Sequence, residues 1–411
     1  MKTILTIARL IAGLVFVFSG FVKAIDPMGS AIKFEEYFMA FNMDFLEFVS
    51  LPLAILLSSA ELMIGLNLMA KVRIRLTAWL LLLFMSFFTI LTLVLALSNP
   101  VSDCGCFGDA IKLTNWQTFY KNVILFIPVL IVFKFRKRYS ATASDFTEWY
   151  LASVNFIIPV LLSVFCLIHQ PLLDFRPYKT GTHIPSAMVL PAGVPVDQYE
   201  TVLVYEKDGM KKEFSETNFP WQDTTWKWVE TKQKLIFKGE EPPIHDFTIS
   251  TLEGEDITAR ILSDSNYVFL IIAPELEEAS RKGIRKMNEL SLKASALNFS
   301  TYCLTSSPTS EINEFINSVN PAFTVCISDE TTLKTILRAN PGLMLLKDGI
   351  IIGKWNFRDV PETDEITTNM LGFVLDEQRS SADTLTILVF SLLMLFFYSV
   401  FHRVFIRKTI A

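Results

Sequence analysis

The two cysteines of Cys104-Gly105-Cys106 are the residues of this sequence most able to do chemistry. Cysteines one residue apart can close only a small ring, and a strained disulfide is easily reduced. Gly105 supplies the backbone freedom that such a ring requires. The spacing therefore predicts thiol–disulfide exchange, with Cys104 and Cys106 as the catalytic residues. The alternative is a permanent local clip, or two thiols with no joint role.

Metal binding is not expected at this pair. No histidine lies nearby, and two thiolates with Asp103 or Asp109 make a poor set of zinc ligands. The three other cysteines lie in apolar segments. Cys303 and Cys326 fall in predicted strands, where buried inert thiols are expected, and a bridge or a second redox pair is the alternative. Cys166 falls in an apolar helix and is expected to pack there.

Three charged residues, Arg9, Lys23 and Glu61, lie inside or at the edge of apolar helices. Ionisable groups at membrane depth are costly, so they usually face a partner or a cavity. A pair of Glu61 with Arg9 or with Lys23 would lower that cost. The group could be a structural ion pair or the polar lining of a site for a quinone or a path for protons, and the sequence does not choose between these readings. No other cofactor is indicated.

Six apolar stretches are long enough, or nearly so, to cross a bilayer. A secretory signal is not favoured for the first, because no clean cleavage site follows it. The fourth is the shortest of the six. The predicted spans are about Leu5–Phe21, Phe48–Leu68, Leu76–Leu97, Phe119–Phe133, Tyr150–Leu167 and Leu385–Phe405.

Basic residues orient these spans, because cytoplasmic loops of membrane proteins are rich in Lys and Arg. Clusters of such residues follow the second, fourth and sixth spans at 71–75, 134–138 and 403–408. With six spans, all three clusters fall on one side, the cytoplasm. Both paired cysteines and the whole of 171–383 then lie outside the cytoplasm, which predicts a multi-pass protein of the bacterial inner membrane with a periplasmic segment.

The segment 171–383 is acidic, with 21 Lys and Arg against 32 Asp and Glu, whereas the rest of the chain is basic. Nucleic acid is not expected as a partner, because phosphate binding requires clustered cations. Residues 171–241 are predicted to be rich in β-structure. They contain a hairpin over Thr201–Phe214 with an Asp-Gly turn. Trp221, Trp226 and Trp228 follow it and are expected to form a small core, with a ligand site as the alternative.

From about Pro242 the pattern changes to alternating strands and helices. Strands are predicted at Tyr267–Ala273 and Ser300–Thr305, and a further strand is expected at Phe323–Ile327. Helices are predicted at Leu276–Lys293, at about Ser310–Val319 and after Asp329. A hairpin turned by Asp348-Gly349 closes the segment. This order predicts a central sheet covered by helices.

Residues 1–138 resemble the DoxX/MauE family of four-helix membrane proteins. The resemblance rests on Phe18-Ser19-Gly20-Phe21-Val22-Lys23 at the end of the first span, on Glu61 with Gly65, and on Cys104-Gly105-Cys106-Phe107-Gly108. The cysteine motif resembles the MauE branch, which is associated with disulfide formation in exported enzymes. Other members of the wider family are linked to quinone-coupled sulfur oxidation. The resemblance covers about a third of the chain.

Residues 242–376 resemble the thioredoxin-like fold of membrane-tethered thiol-disulfide proteins. Pro243-Ile244-His245-Asp246-Phe247 is similar to their opening segment, and Pro341 stands where that family has a cis-proline. One departure is decisive. The family's Cys-x-x-Cys position reads Ala273-Pro274-Glu275-Leu276 here, so this domain is expected to bind or position a partner and not to exchange thiols itself.

Together these observations predict a membrane α-helical bundle with an exported α/β thioredoxin-like domain. The expected divisions are a four-helix membrane domain at 1–138, a fifth transmembrane helix and linker at 139–170, a small β-rich segment at 171–241, the thioredoxin-like domain at 242–376 and a last transmembrane helix at 384–411. The expected function is extracytoplasmic redox chemistry or maturation of exported proteins, in contact with the lipid bilayer and with an exported client or a redoxin. The alternatives are a non-enzymatic scaffold and, less in keeping with so few polar residues in the helices, a transporter.

Overall fold

The computed structural model describes residues 2–380, with the exception of 102, 140–143, 192, 196–197, 216 and 238. Five helices in this part of the chain are long and apolar enough to cross a membrane, and they form the membrane bundle. Their bounds are Lys2–Ile25 (α1), Ser50–Ala70 (α3), Ile74–Ser98 (α4), Asn115–Lys134 (α5) and Asp145–Ile168 (α6). The predicted sixth span, Leu385–Phe405, lies outside the described residues.

Helices α1 and α3 approach each other closely because glycines stand at their contact. A Cβ atom added at Gly20 would lie 2.5 Å from the backbone nitrogen of Leu62, and one at Gly65 would lie 2.6 Å from that of Val17. Small residues of this kind allow membrane helices to pack backbone against backbone. The contact brings the end of α1 against the middle of α3, which places Lys23 beside Glu61.

The loop between α1 and α3 contains a helix that was not predicted, Pro27–Ala40 (α2). Asp26 caps it by accepting a hydrogen bond from the Gly29 amide, and Pro27 occupies the first turn, where its missing N–H costs nothing. Helix α2 packs on α3 and α6 at the end of the bundle that carries the cysteines. It covers the cysteines from one side, so this loop is part of the site's framework.

The small sheet has the strand order β2-β1-β3 and is antiparallel, with β1 at Gln198–Lys207, β2 at Met210–Ser215 and β3 at Lys227–Phe237. The predicted hairpin is confirmed, and both Asp208 and Gly209 of its turn have positive φ. The expected tryptophan core is wrong. Trp221 and Trp228 are exposed, and only Trp226 packs inward, edge-on against Phe214. A three-stranded sheet with one uncovered face buries too little surface for three tryptophans.

The α/β domain, residues 242–380, is built on a five-stranded sheet of order β6-β5-β4-β7-β8. Strands β4, β5 and β6 are parallel, whereas β7 and β8 form an antiparallel hairpin turned at Asp348-Gly349. In chain order the strands are Tyr267–Ile272 (β4), Ser300–Thr305 (β5), Thr324–Ile327 (β6), Gly342–Lys347 (β7) and Ile350–Asn356 (β8). The helices are Thr258–Leu262 (α8), Arg281–Ala296 (α9), Thr309–Val319 (α10) and Glu330–Ile336 (α11), after a short α7 at Ile184–Ala187.

This topology is the thioredoxin-like fold that the sequence predicts, and the Asn340–Pro341 peptide bond is cis, as expected for the proline before the hairpin. Helix α9 begins at Arg281 and not at Leu276, because residues 273–280 form turns that Ser280 closes as the helix N-cap. Strand β4 is buried along its whole length, as expected for the central strand of a sheet covered on both faces.

Cys303 and Cys326 lie on neighbouring strands but on opposite faces of the sheet. Cys303 packs in the core cluster around Phe269, and Cys326 packs in the cluster around Phe247. Successive strand residues alternate between faces, and Cys326 stands opposite Leu304, the neighbour of Cys303. A bridge between them is therefore excluded in this fold. Burial raises the pKa of both thiols, that of Cys326 to about 11, which leaves them inert.

The segment that links α6 to the small sheet packs partly into the α/β domain. Tyr178 and Ile184 belong to its core, and Ile351 of β8 exchanges backbone hydrogen bonds with Gly181 and Thr182. A part of the stretch predicted as a separate β-rich segment is thus an edge of the α/β domain. The domain is consequently held close to the end of α6, where His169 contacts Asp359.

Candidate active site at the cysteine loop

The cysteine loop, residues 103–109, joins α4 to α5 at the end of the bundle that faces the α/β domain. The sulfur atoms of Cys104 and Cys106 lie 2.7 Å apart, in hydrogen-bond contact, and both residues are half-buried. Gly105 between them and Gly108 after them have φ of 61° and 50°, in the left-handed region that glycine adopts without strain. The loop thus turns tightly enough for the two sulfurs to meet.

Hydrogen bonds from two helices fix the backbone of the cysteine loop. The Tyr37 hydroxyl of α2 donates to the carbonyl oxygen of Cys104 at 2.6 Å. The Ser19 hydroxyl of α1 lies 2.8 Å from the carbonyl oxygen of Cys106. Burial is the main cause that raises the pKa of Tyr37, so it remains a donor at all physiological pH values. Each cysteine is therefore held in place through its backbone carbonyl group, so neither bond uses a sulfur atom.

The two thiols have opposite acidities. The Cys106 thiol, as a hydrogen-bond partner of the Cys104 sulfur, lowers the pKa of Cys104 to about 6, and contacts with Thr118 and the charge of Lys121 act in the same direction. The same hydrogen bond and burial raise the pKa of Cys106 well above its usual value. The Thr118 hydroxyl lies 3.3 Å from the Cys104 sulfur. At neutral pH Cys104 is therefore the thiolate of the pair.

We expect the alkylation rate of the reduced protein to reflect this difference. Cys104 should react with iodoacetamide with a midpoint near pH 6, since only the thiolate is nucleophilic, whereas Cys106 should remain unlabelled until the pH is well above 9. Mass spectrometry of the peptide that contains both residues measures the two rates.

Two variants provide the controls for this titration. Cys106→Ala removes the donor to the Cys104 sulfur and should raise the midpoint, whereas Cys106→Ser retains a hydroxyl donor and should raise it less. A common midpoint near pH 8.5 for both thiols, the value of a free cysteine, would contradict the asymmetry.

An inner pocket with a volume of about 80 Å³ lies directly under the cysteine loop, between α1, α3, α4 and α5. Cys104, Gly105 and Cys106 form part of its wall. Its lining is largely apolar and aromatic, with a few polar groups. The aromatic side chains are Phe16, Phe34, Tyr37, Phe84, Phe88 and Phe107.

Lys23 and Glu61 also line the inner pocket, and they form an ion pair at 2.5 Å with little exposure to solvent. The Ser19 hydroxyl lies 2.9 Å from the Glu61 carboxylate and 2.8 Å from the Cys106 carbonyl oxygen. A hydroxyl has one hydrogen, so it can donate to only one of these two acceptors at a time. Ser19 therefore connects the ion pair to the cysteine loop.

Arg9 does not join this group. Its guanidinium donates to the carbonyl oxygens of Leu68 and Met69, the last turn of α3, where those groups have no partner within the helix. Arg9 precedes Lys23 by 14 residues on α1, which is about 21 Å along a helix. Of the two pairs that the sequence allows for Glu61, the one with Lys23 forms and the one with Arg9 does not, and Arg9 caps a helix at the other end of the bundle.

Arg338 of the α/β domain fastens that domain to the cysteine loop. Its guanidinium lies 3.0 Å from the Asp26 carboxylate at the start of α2 and 3.3 Å from Asp109 at the end of the loop. Although burial acts to raise it, the neighbouring Arg338 charge holds the pKa of Asp26 below its usual range. The α/β domain is therefore positioned over the cysteines by charge-assisted hydrogen bonds.

The α/β domain has no thiol at the place where its fold would carry a redox pair. After β4 the chain reads Ala273-Pro274-Glu275, and the Pro274 carbonyl oxygen accepts hydrogen bonds from Thr305 and Ser306. The Glu275 carboxylate pairs with Lys334 at 3.1 Å. The domain's own polar groups thus fill this corner.

The structure brings Cys104, Cys106, Lys23 and Glu61 together around the inner pocket and separates Arg9 from them. Four further residues of the site were missed: Ser19, Tyr37, Thr118 and Lys121. Thr118 and Lys121 follow the cysteine motif at helical spacing on α5, which is the one signal that could have found them. Lys121 rests 4.2 Å above the Phe107 ring and, within the described residues, forms no ion pair with a carboxylate.

Comparisons with known proteins agree with the two-part organisation. The family model for "Methylamine utilisation protein MauE" matches residues 1–135, and one for a domain of unknown function, DUF8463, matches residues 199–238, the small sheet. No curated protein matches the chain.

Among solved structures, StoA from Bacillus subtilis is 14% identical, with a TM-score of 0.24, over 29% of this chain and 91% of that one. A secreted Mycobacterium tuberculosis disulfide oxidoreductase, described as homologous to E. coli DsbE, is 17% identical, with a TM-score of 0.24, over 32% and 96%. The fold of the α/β domain rests on its own strand order, and the membrane part, residues 1–135, is similar to the MauE family and has the apolar helices of a multi-pass membrane protein.

Proposed function

We propose that this protein oxidises thiols of exported polypeptides on the extracytoplasmic side of a bacterial inner membrane and passes the electrons to a quinone. One observation carries the proposal. The two cysteine sulfurs lie 2.7 Å apart in the wall of the pocket that also holds the Lys23–Glu61 ion pair. The cysteine pair and the membrane pocket thus form one continuous site.

The exchange converts a client dithiol into a disulfide. A client thiolate attacks the Cys106 sulfur of the oxidised pair, because Cys104 has the lower pKa and leaves more readily as a thiolate. The Cys104–Cys106 bond breaks and a mixed disulfide forms on Cys106. The second client thiolate then attacks the client sulfur and releases Cys106. Of the two client protons, Cys106 takes one and the solvent takes the other, and the two electrons remain on the pair.

The lining of the inner pocket suits a quinone as the acceptor of those electrons. Ligand pockets in proteins have apolar walls with few polar groups. The inner pocket has such a lining, with the Lys23 ammonium as a donor. Bound there, a quinone would take up two electrons and two protons, which regenerates the disulfide.

The chain's own residues would control charge and protons in this pocket. Lys23 supplies a positive charge beside an acceptor that gains electrons, and Glu61 balances that charge while the pocket is at rest. The Ser19 hydroxyl lies within hydrogen-bond distance of Glu61 and of the Cys106 carbonyl oxygen, so it couples the position of the cysteine loop to the carboxylate. Lys121 stabilises the Cys104 thiolate from the other side.

The orientation is supported by where the cations lie. Lys71, Arg73 and the run of basic residues after α5 lie at the end of the bundle opposite the cysteines, where Arg73 pairs with Asp145. Basic residues mark the cytoplasmic side. The cysteine loop and the α/β domain are then on the oxidising side, where disulfides persist.

A redox titration of the cysteines tests the proposal. The purified protein in lipid vesicles is mixed with a soluble quinone or with a reduced dithiol peptide, and a thiol-alkylating reagent that adds mass then reports the state of Cys104 and Cys106 on a gel. The pair should be oxidised after quinone and reduced after the dithiol peptide, and the Cys104→Ser/Cys106→Ser variant should show no shift in either case.

The rival function is a scaffold whose thioredoxin-like domain binds a partner while the cysteines clip a loop. The scaffold function is favoured by one observation: the α/β domain lacks a thiol pair of its own at the position where its fold would carry one. A pair that stays oxidised in the presence of both reagents would support the scaffold and reject the exchange.

A further inference from the structure

A second, larger cavity lies on the outer side of the cysteine loop. This cleft has a volume of about 1,090 Å³ and is open to solvent. Its floor includes Asp103, Gly105, Gly108 and Asp109 of the cysteine loop. One wall is α2 and the other is the α/β domain at residues 330–338 and 241–245. Gly105 lines both the cleft and the inner pocket, so a single residue separates the two cavities at this point.

The size and openness of the cleft suit a polypeptide segment. Its volume is at the upper end of the range of about 300–1,000 Å³ that small-ligand pockets have, and the cleft is open to solvent. Charged side chains and apolar side chains both line it, the apolar surface being the larger. An extended polypeptide segment, which carries both kinds of group, fits an open space of this kind between two domains.

The charges of the cleft define what kind of polypeptide would fit. Nine carboxylates and six Lys or Arg side chains line it. Five of those cations are in ion pairs: Lys33 with Glu36, Lys334 with Glu330, Arg338 with Asp26, Arg176 with Asp174 and Lys23 with Glu61.

Two of the carboxylates, those of Glu35 on α2 and Glu47 just after it, form no ion pair within the described residues. Burial, and next the repulsion of Glu47, raise the pKa of Glu35. The charge of Lys334 already acts to lower the pKa of Glu35. A further cation placed between the two carboxylates would relieve the remaining repulsion, so this part of the cleft favours positive charge.

We propose that this cleft binds an extended, cysteine-bearing segment of the client whose neighbouring residues are lysine or arginine. The inference rests on the proposed function for the identity of the cysteine, and on the cleft itself for the rest. The segment would lie between α2 and the α/β domain, with Arg338 holding the two walls at a fixed spacing. The thioredoxin-like domain, which has no thiols of its own at its site, then serves as one wall of the binding site.

Binding of defined peptides tests the cleft without any redox step. Two fluorescent ten-residue peptides are used, in which serine replaces the central cysteine and the flanking residues are either lysines or glutamates. Fluorescence anisotropy with the full-length protein in nanodiscs should show that the lysine peptide binds at least about tenfold more tightly. The preference should weaken as salt is raised, because screening acts on exposed charges.

Charge reversal locates the binding surface. The double variant Glu35→Lys/Glu47→Lys should lose the preference and bind the glutamate peptide more tightly, an outcome that a misfolded protein cannot produce. Glu289→Lys/Glu314→Lys changes the charge by the same amount on exposed faces of α9 and α10, outside the cleft, and should leave both affinities unchanged. Equal affinities for the two peptides, or an equal effect of both double variants, would overturn the proposal.

The same peptides with their cysteine pairs restored separate this proposal from the proposed function. If the serine peptides bind as expected but the dithiol peptides are not oxidised, the cleft is a binding site and the exchange reaction is rejected. If both dithiol peptides are oxidised at the same rate, the reaction stands and the cleft is not its binding site.

Discussion

Replacing either cysteine of the pair by serine should abolish quinone-dependent oxidation of a dithiol peptide. The expected rate is that of the uncatalysed reaction, a loss of at least about 10³-fold, because one sulfur cannot form the disulfide that accepts the electrons. The same loss is expected for Cys104→Ser, for Cys106→Ser and for the double variant, since two residues that act as a unit are not additive. Formation of peptide disulfide in nanodiscs, followed by mass spectrometry, measures the rate.

Two further measurements separate this result from a loss of structure. The thermal unfolding of the three variants should remain within a few degrees of the original protein, because the sulfurs are half-buried in a loop and the loop's backbone bonds to Tyr37 and Ser19 remain. Cys166→Ala, which removes a buried thiol in α6 away from the loop, should leave the rate unchanged. If one serine variant retains measurable turnover, the pair is not the redox centre.

The helices of the membrane part could be predicted because their physical cause is local. Runs of apolar residues of the right length identify the five spans that the structure describes. The basic loops between them predict on which side of the membrane each loop lies. Both hairpins could also be predicted, since Asp-Gly sequences at 208–209 and 348–349 adopt the positive φ values that tight hairpin turns require. In each case the residues that decide the structure are neighbours in sequence.

The partners of the cysteines could not be predicted in the same way. Tyr37 is 67 residues from Cys104 and Ser19 is 87 residues from Cys106, so only packing of α1 and α2 against the loop brings them together. Helix α2 itself has weak amphipathic character and lies between two much stronger apolar signals. The Asp26 cap and the proline after it were the available signs of its start.

Arg9 and Glu61 illustrate a different limit. Three charges in apolar helices must find partners, but the sequence leaves the pairing open. The glycines at positions 20 and 65 decide it, because the close approach of α1 to α3 fixes their register and sets Lys23 against Glu61. Arg9 then lies near the end of α3, where the last carbonyl groups of that helix accept its hydrogen bonds and no carboxylate is needed.

Breaking the Lys23–Glu61 pair should have the second large effect, and two quantities should respond differently. Glu61→Gln leaves the Lys23 ammonium without its counter-charge at a largely buried position. Lys23→Met in turn leaves the Glu61 carboxylate without its counter-charge. Each single variant should lower the free energy of unfolding by about 3–5 kcal/mol. The double variant Lys23→Met/Glu61→Gln should recover most of that loss, since no buried charge remains.

The rate at which the disulfide re-forms should not recover in the double variant, although the stability does. In the double variant, the pair should re-oxidise slowly with a quinone, at least about tenfold below the original rate, because the pocket has lost the charge that favours an electron acceptor. With a small soluble disulfide as the oxidant, which acts at the loop, the rate should be close to the original one. The exposed pair Lys286–Glu362, changed in the same way to Met and Gln, should affect neither quantity by more than a small margin.

The contrast between the two oxidants decides what the ion pair is for. An ion pair that only locks α1 to α3 would give a double variant that is stable and re-oxidises at the original rate with both reagents. An ion pair that serves the electron acceptor gives a stable protein that has lost the quinone reaction alone. Lys23 and Glu61 line the same cavity as the two cysteines, and the Ser19 hydroxyl links Glu61 to the backbone of the cysteine loop. This connection is why we expect the second outcome.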